Sequence, residues 1–238
     1  MKGATKEIEG GDGQFFDGIA ERYDLLNRIL SLGMDGRWRK KAVAALELKD
    51  GATILDVATG TADLALTIAE KNPKVSVVGI DPSKEMLAIG RDKAVDKGVD
   101  TRVELAMGDG QALGFEDDRF DGAVVSFGIR NFPDRLQGLR EMTRVVRPGA
   151  PVVILELSEP GGGVMGGLSK LYVHGMVPRI GAMLSGSKEY RYLQESIAAF
   201  PPPEDFCALM EEAGLTEVRA EPLTFGAVHL FVGRKPAA

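Results

Sequence analysis

The sequence contains one cysteine, Cys207, among its 238 residues. No internal disulfide can form, and a reducing compartment is the natural setting. Cys207 stands in the apolar run Phe206-Cys207-Ala208-Leu209-Met210, where it reads as a small buried hydrophobe. Histidine is almost as scarce. His174 and His229 are the only two, and no His/Cys cluster has metal-ligand spacing, so no metal is expected. An excess of basic charge is also missing. Lys+Arg is 29 against Asp+Glu 35, a net charge of −6. That argues against a general nucleic-acid binder, while leaving room for a local patch that meets a membrane surface. No apolar run is long enough to span a bilayer. Residues 1–14 are polar and Gly-rich and lack the apolar stretch of a secretory signal. They are expected to form a flexible tail, and the protein is expected to be cytoplasmic. No internal repeats are visible.

The remaining composition is that of one globular domain over 15–238. Hydrophobic residues make up 44% and charged residues 27%, and the length suffices for a full core. After the tail, Phe16, Ile19, Ala20, Tyr23, Leu26, Asn27 and Leu30 recur at helical spacing. A break at 32–36 precedes a second helix over 37–46, with Trp38 and Ala42 in register. From Ala52 the rhythm becomes strand–helix alternation. Strands are predicted over 53–58, 75–81, 102–106, 120–127 and 151–157, and helices over 64–70, 83–97 and 136–146. Ser83 caps the second of these helices, and Arg147-Pro148-Gly149 stops the third. A helix over 203–213 and strands over 216–223 and 227–233 follow. The short Thr224-Phe225-Gly226 turn makes the last two strands antiparallel neighbours. The pattern predicts an α/β fold, a doubly wound, mostly parallel seven-stranded sheet with helices on both faces. N-terminal helices occupy 15–50, and a helical insert occupies 161–200 before the last two strands.

Polar chemistry gathers at strand ends. Asp56-Val57-Ala58-Thr59-Gly60-Thr61-Ala62-Asp63-Leu64 lies where the first strand gives way to a helix, and its small residues let backbone approach a ligand. Asp81 closes the second strand, where a carboxylate can accept from both vicinal hydroxyls of a ribose. As a dinucleotide fingerprint the turn is degenerate, since Gly60, Ala62 and Ala65 stand where three glycines belong. That counts against a pyrophosphate ligand. The third strand leads into Met107-Gly108-Asp109-Gly110-Gln111, where Asp109 can accept from an adenine amino group and the Gly110 amide can face the ring. Asp56 and Asp81 also fit plain capping roles, and Asp63 fits a charge at a helix N-terminus.

These elements, in this order, resemble the class I S-adenosylmethionine-dependent methyltransferases. Outside the cofactor fold the likeness narrows. Tyr23-Asp24-Leu25-Leu26-Asn27 with Trp38-Arg39, Ser126-Phe127-Gly128-Ile129-Arg130-Asn131, Leu155-Glu156-Leu157-Ser158-Glu159-Pro160 and Tyr190-Arg191-Tyr192-Leu193-Gln194-Glu195-Ser196-Ile197 are similar to the ubiquinone/menaquinone biosynthesis C-methyltransferases, over about 15–235. The resemblance implies S-adenosyl-L-methionine as cofactor, held by Thr61, Asp81, Asp109, Gly110 and Ser126 beside Asp56 and Gly60. Members often carry Asn-Ala or Asp-Ala at 109–110 and more glycine over 59–62. Ala62 is tolerable there if its backbone angles are ordinary.

The resemblance further implies methyl transfer to a ring carbon of a lipid-tailed quinol, with demethylmenaquinol preferred to a ubiquinone-pathway benzoquinol. That carbon is nucleophilic when a neighbouring hydroxyl ionises. Arg130, at the carboxyl edge after the fourth strand and permanently protonated, is the candidate to stabilise the oxyanion. Asn131 can orient the same hydroxyl. Tyr23, Asp24 and Asn27 share a helix face and read as a lid, with Tyr23 at the reaction and Tyr190 and Arg191 on the other side. His174 fits a general base or a structural hydrogen bond, and His229 is expected to do no chemistry. The Met- and Leu-rich segment 161–187 fits a tail groove or a peripheral membrane contact, and equally a packed insert or a homodimer contact. A phenol O-methyltransferase and a non-catalytic nucleoside-binding module stay open as alternatives.

Overall fold

The computed structural model describes residue 17 and residues 20–158 and 187–237. The tail, His174 and most of the 161–200 insert lie outside the described residues. In chain order the elements are α1 (Ala20–Leu30), α2 (Asp35–Ala45), β1 (Thr53–Val57), α3 (Asp63–Lys71), β2 (Ser76–Asp81), α4 (Lys84–Asp96), β3 (Val103–Met107) and β4 (Gly122–Ser126). A single 3-10 turn (Ile129–Asn131) then leads to α5 (Arg135–Val145), β5 (Pro151–Leu157), α6 (Ser187–Ala198), α7 (Pro203–Glu212), β6 (Thr216–Leu223) and β7 (Val228–Arg234).

The seven strands form one sheet in the order β3-β2-β1-β4-β5-β7-β6. Strands β1 to β5 run parallel; β7 is antiparallel to β5, and β6 to β7. The central strands are apolar throughout because both faces are covered. Alternation then assigns each residue to a layer. Ile54, Val77, Val124, Val153 and Leu155 pack with Trp38, Ala42 and Val43 of α2 and with α3. Leu55, Val57, Val125, Val152 and Ile154 pack with Leu139 and Met142 of α5 and with Phe206 and Met210 of α7. The same alternation sends Asp56 and Ser126 to the first layer and Glu156 to the second.

Ser83 caps α4 by accepting from the Met86 amide (3.1 Å), and Asp134 caps α5 through the Gln137 amide (2.9 Å). The fourth strand starts later than its sequence predicts. Phe120 pairs with Val146 in an isolated bridge, and the Asp121 carboxylate accepts from the Thr53 amide (2.8 Å). Cys207 is half-buried rather than buried, because Phe206 and Met210 take the inward face of α7 and leave it on the flank.

Candidate active site

Strand order reverses between β1, which continues to β2, and β4, which continues to β5. Ligands bind outside the carboxyl ends of strands at such a switch point. A cleft of about 280 Å³ opens there, lined by Tyr23, Asp81, Pro82, Met86, Asp109, Gly110, Asn131 and Phe132 among others. The Asp81 carboxylate is fixed by two amides, from Gly60 to Oδ2 (2.8 Å) and from Ser83 to Oδ1 (2.8 Å). Gly60 makes its bond from a left-handed backbone (φ +56°). Burial raises the Asp81 pKa, the two amides oppose that, and Asp17 adds to it. Asp17 itself accepts from Ser83 Oγ (2.5 Å).

Asp109 sits exposed at the lip and accepts from the Gln111 amide (2.9 Å). Next to it, Gly110 answers a steric demand. A Cβ there would lie 2.4 Å from Phe132 Cζ and 2.8 Å from Val57 Cγ1, and one on Gly138 would lie 2.5 Å from Phe132 Cδ2. The Phe132 ring fills a slot between the two glycines and forms part of the cleft wall. An alanine at this position does not fit without movement of that ring.

A smaller recess adjoins the cleft and holds Asn27, Arg39, Asp56, Thr61 and Ser126. Asp56 is 1% exposed. Burial pushes its pKa up to about 7, against the lowering effects of the Thr59 hydroxyl and Arg39. Thr59 Oγ1 donates to Asp56 at 2.6 Å. Ser126 Oγ is buried and has no partner. Thr61 is already engaged: its hydroxyl donates to Asp24 Oδ1 of α1 (2.5 Å). Lys93 joins the same group, 2.9 Å from Asp24 and in contact with Asp63. This network fastens α1 over the turn and places Tyr23 in the cleft wall. Ala62 corrects the sequence expectation. Its backbone is left-handed (φ +64°, ψ +18°), so its angles are not ordinary and cost about 1–2 kcal/mol. Ala58 (φ +53°) and Phe127 (φ +59°) carry the same strain at the ends of β1 and β4.

On the second face, Arg130 lies in the 3-10 turn after β4 and is 6% exposed. Its Nη1 donates to Glu156 Oε1 at 2.7 Å and also to the Phe127 carbonyl. Glu156 is fully buried in β5 and accepts in addition from the amides of Arg130 (3.2 Å) and Leu157 (2.8 Å). Arg130 Nε is buried and has no partner. Beside it, Tyr192 of α6 donates to Asn131 Oδ1 (2.9 Å), and burial raises the Tyr192 pKa. Tyr192 thus meets the 3-10 turn from α6, the helix that also carries Tyr190 and Arg191. Arg191 is exposed, and the Tyr190 side chain lies outside the described residues. Sequence reasoning also missed Glu156 and Phe132 as parts of the site. A charged residue inside the otherwise apolar run of β5 was the available signal. His229 lies buried in β7, 2.5 Å from Ser158 Oγ through Nδ1.

A sequence profile for the ubiE/COQ5 methyltransferase family matches residues 5–235. The chain belongs to the ubiE/COQ5 methyltransferase family. Relatives in that family include a ubiquinone/menaquinone biosynthesis C-methyltransferase UbiE of Geobacter sulfurreducens, 42% identical over 92% of this chain and 86% of its own length. A demethylmenaquinone methyltransferase of Thermus thermophilus is 46% identical over 93% of this chain and all of its own length. The fold is also that of an SAM-dependent methyltransferase from Aquifex aeolicus, with TM-score 0.60, 20% identity, and 82% and 88% of the two chains covered. Membership in the ubiE/COQ5 family makes the chain a methyltransferase.

Proposed function

We propose that the protein transfers a methyl group from S-adenosyl-L-methionine to a ring carbon of a polyprenylated quinol, with demethylmenaquinol as the preferred substrate. The relatives' names support the quinol, and the site supports the chemistry. In this reading Asp81 accepts from the ribose hydroxyls, Asp109 and the Gly110 amide meet adenine, and Asp56, Gly60, Thr61 and Ser126 hold the rest of the cofactor. The unpartnered Ser126 hydroxyl fits this reading, since a buried hydroxyl without a partner costs about 1–3 kcal/mol until a ligand satisfies it. When bound, the cofactor supplies an electrophilic methyl on a sulfonium.

The observation that carries the substrate half is Arg130 Nε, a buried N–H of a permanent cation without a partner, beside the cleft. In this reading it donates to a ring oxygen as that oxygen gains negative charge, worth about 3 kcal/mol in such sites. Asn131, held by Tyr192, orients the same oxygen, and Tyr23 closes the cleft from the lid helix. Purified protein, S-adenosylmethionine and a chemically reduced short-chain demethylmenaquinol test this by mass spectrometry of the product. Ring-carbon methylation is expected. Arg130→Gln is expected to lower kcat about 100-fold while cofactor Kd stays within a few-fold. Methylation at oxygen only, or loss of cofactor binding in step with kcat, would refute the assignment.

A polyprenyl tail brings the reaction to a bilayer. Among the described residues no helix is long and apolar enough to cross one, so we propose a peripheral contact at the cytoplasmic membrane face. Leu25, Leu32 and Phe225 are exposed large hydrophobics. Leu25 and Arg28 lie one turn apart on α1, Leu32 follows in the turn after its C-terminus with a left-handed backbone (φ +51°), and the Phe225 turn lies nearby, where Thr224 meets Met34 (3.9 Å) and Trp38 (2.9 Å). Exposed Arg28 and Arg37 suit anionic headgroups. Flotation with phosphatidylglycerol vesicles is expected to carry the protein, and Leu32→Asn/Phe225→Asn to weaken that. Flotation unchanged in this variant would remove the patch, and a dimer that the variant dissociates would assign it to self-association.

A further inference from the structure

The buried polar cluster around Arg130 is unbalanced in charge. Arg130 pairs with Glu156 at 2.7 Å, but a second guanidinium is present. Arg135, half-buried at the start of α5, donates from Nη2 to the Arg130 carbonyl (3.0 Å) and lies over the Phe200 ring (5.7 Å to its centroid). Its Nε, like that of Arg130, is buried and has no partner. Against these two cations, Glu156 is the one carboxylate in the cluster among the described residues, and it is fully buried. The field of Glu156 reaches both arginines. The other titratable groups around the cluster, among the described residues, are Tyr23 of α1, Tyr192 of α6 and His229, the register partner of Glu156 on β7. None of these adds negative charge at neutral pH in its ordinary protonation state. Among the described residues the cluster therefore holds a surplus of one positive charge, in surroundings that screen it less than water does.

We propose that this surplus sets the ionisation of the bound substrate hydroxyl, with Glu156 and Arg135 as positioning residues that tune the field Arg130 presents. The proposal rests on the quinol reading above. The hydroxyl proton leaves to water, and its electron pair stays on the ring oxygen and spreads to the neighbouring carbon. That carbon bonds the methyl as the sulfur–methyl bond breaks and its electrons return to sulfur. One negative charge on the oxygen matches the one surplus positive charge. The geometry makes two opposed demands. Removing the carboxylate leaves two uncompensated cations and favours the oxyanion further. Removing Arg135 neutralises the cluster and disfavours it.

The test uses the full chain loaded with S-adenosylhomocysteine and 1-naphthol as a redox-stable stand-in for the quinol. Ionisation of bound naphthol is followed by absorbance beyond the tyrosinate band. In Arg135→Gln its apparent pKa is expected to rise by about one unit relative to the parent protein, and in Glu156→Gln to fall by about one unit. The acid limb of kcat against pH for quinol methylation should move in the same opposed directions. Shifts of the same sign, no shift, or failure of naphthol to bind would overturn the proposal. A merely structural role for these residues would lower the melting temperature without separating the two variants. If Glu156→Gln does not fold, the upward shift in Arg135→Gln decides alone. Turnover by the parent protein is measured in the same buffers. Absence of turnover with the naphthol shifts intact would sink the quinol reading and leave the electrostatic assignment standing.

Discussion

Asp56 is a carboxyl group that the fold holds almost wholly away from water, and its substitution gives a sharp thermodynamic signature. Its pKa rises from 3.8 to about 7, chiefly because burial penalises the charged form. The folded state keeps this proton until about pH 7, whereas the unfolded chain releases it near pH 4. Between those values the folded state binds more protons, so stability falls as pH rises, by about 1.4 kcal/mol per unit. The full effect is about 4 kcal/mol, complete above pH 7. Asp56→Asn keeps the shape and still accepts the Thr59 hydroxyl, but it cannot ionise. Urea unfolding of both proteins without cofactor should show the parent losing about 2–3 kcal/mol relative to the variant between pH 5 and 8. Comparing the two removes the contribution of Asp81, which is raised in the same sense. A stability difference that stays constant across this range would refute the reasoning. The cofactor assignment adds a second readout. A cationic amino group beside Asp56 favours the ionised form, so binding near pH 6 should release a proton in calorimetry, and this release should vanish in the variant.

Other consequences can be checked independently. Asp81→Ala removes a buried acceptor of the Gly60 and Ser83 amides and should weaken S-adenosylmethionine by about 3 kcal/mol, roughly a hundredfold in Kd by calorimetry. Gly110→Ala forces a methyl into the Phe132 ring and should cost about 1–3 kcal/mol in urea unfolding, with most of that recovered in Gly110→Ala/Phe132→Leu. Lys93→Met removes the ion pairs that fasten α1 and should cost about 1 kcal/mol or less. It should also speed cofactor release several-fold in stopped flow, an effect that salt reduces in the parent protein.

Much of this molecule was legible along the chain because the signals are local. The strand–helix rhythm, the Ser83 cap, the stop at Pro148-Gly149 and the tight 224–226 turn each depend on a few neighbouring residues, and the sheet follows from them. Asp56, Gly60, Asp81, Asp109 and Gly110 could be gathered at one edge because parallel strands place all their carboxyl ends together. Backbone strain was not legible. Ala62 carries a side chain that disfavours the left-handed conformation, and only the packing around the turn holds it there.

The sequence by itself determined the alternation that buries both faces of the central strands, and with it the layer to which Asp56, Ser126 and Glu156 point. What covers those residues was decided by tertiary structure. Glu156 meets Arg130 across 26 positions of chain because β4 and β5 are neighbours in the sheet. Tyr192 meets Asn131 across 61 because α6 lies against the 3-10 turn. Phe132 excludes a side chain at 110 because two glycines from separate segments close on one ring. Such partnerships depend on where distant segments come to rest, and a period of two or of 3.6 residues carries no record of that.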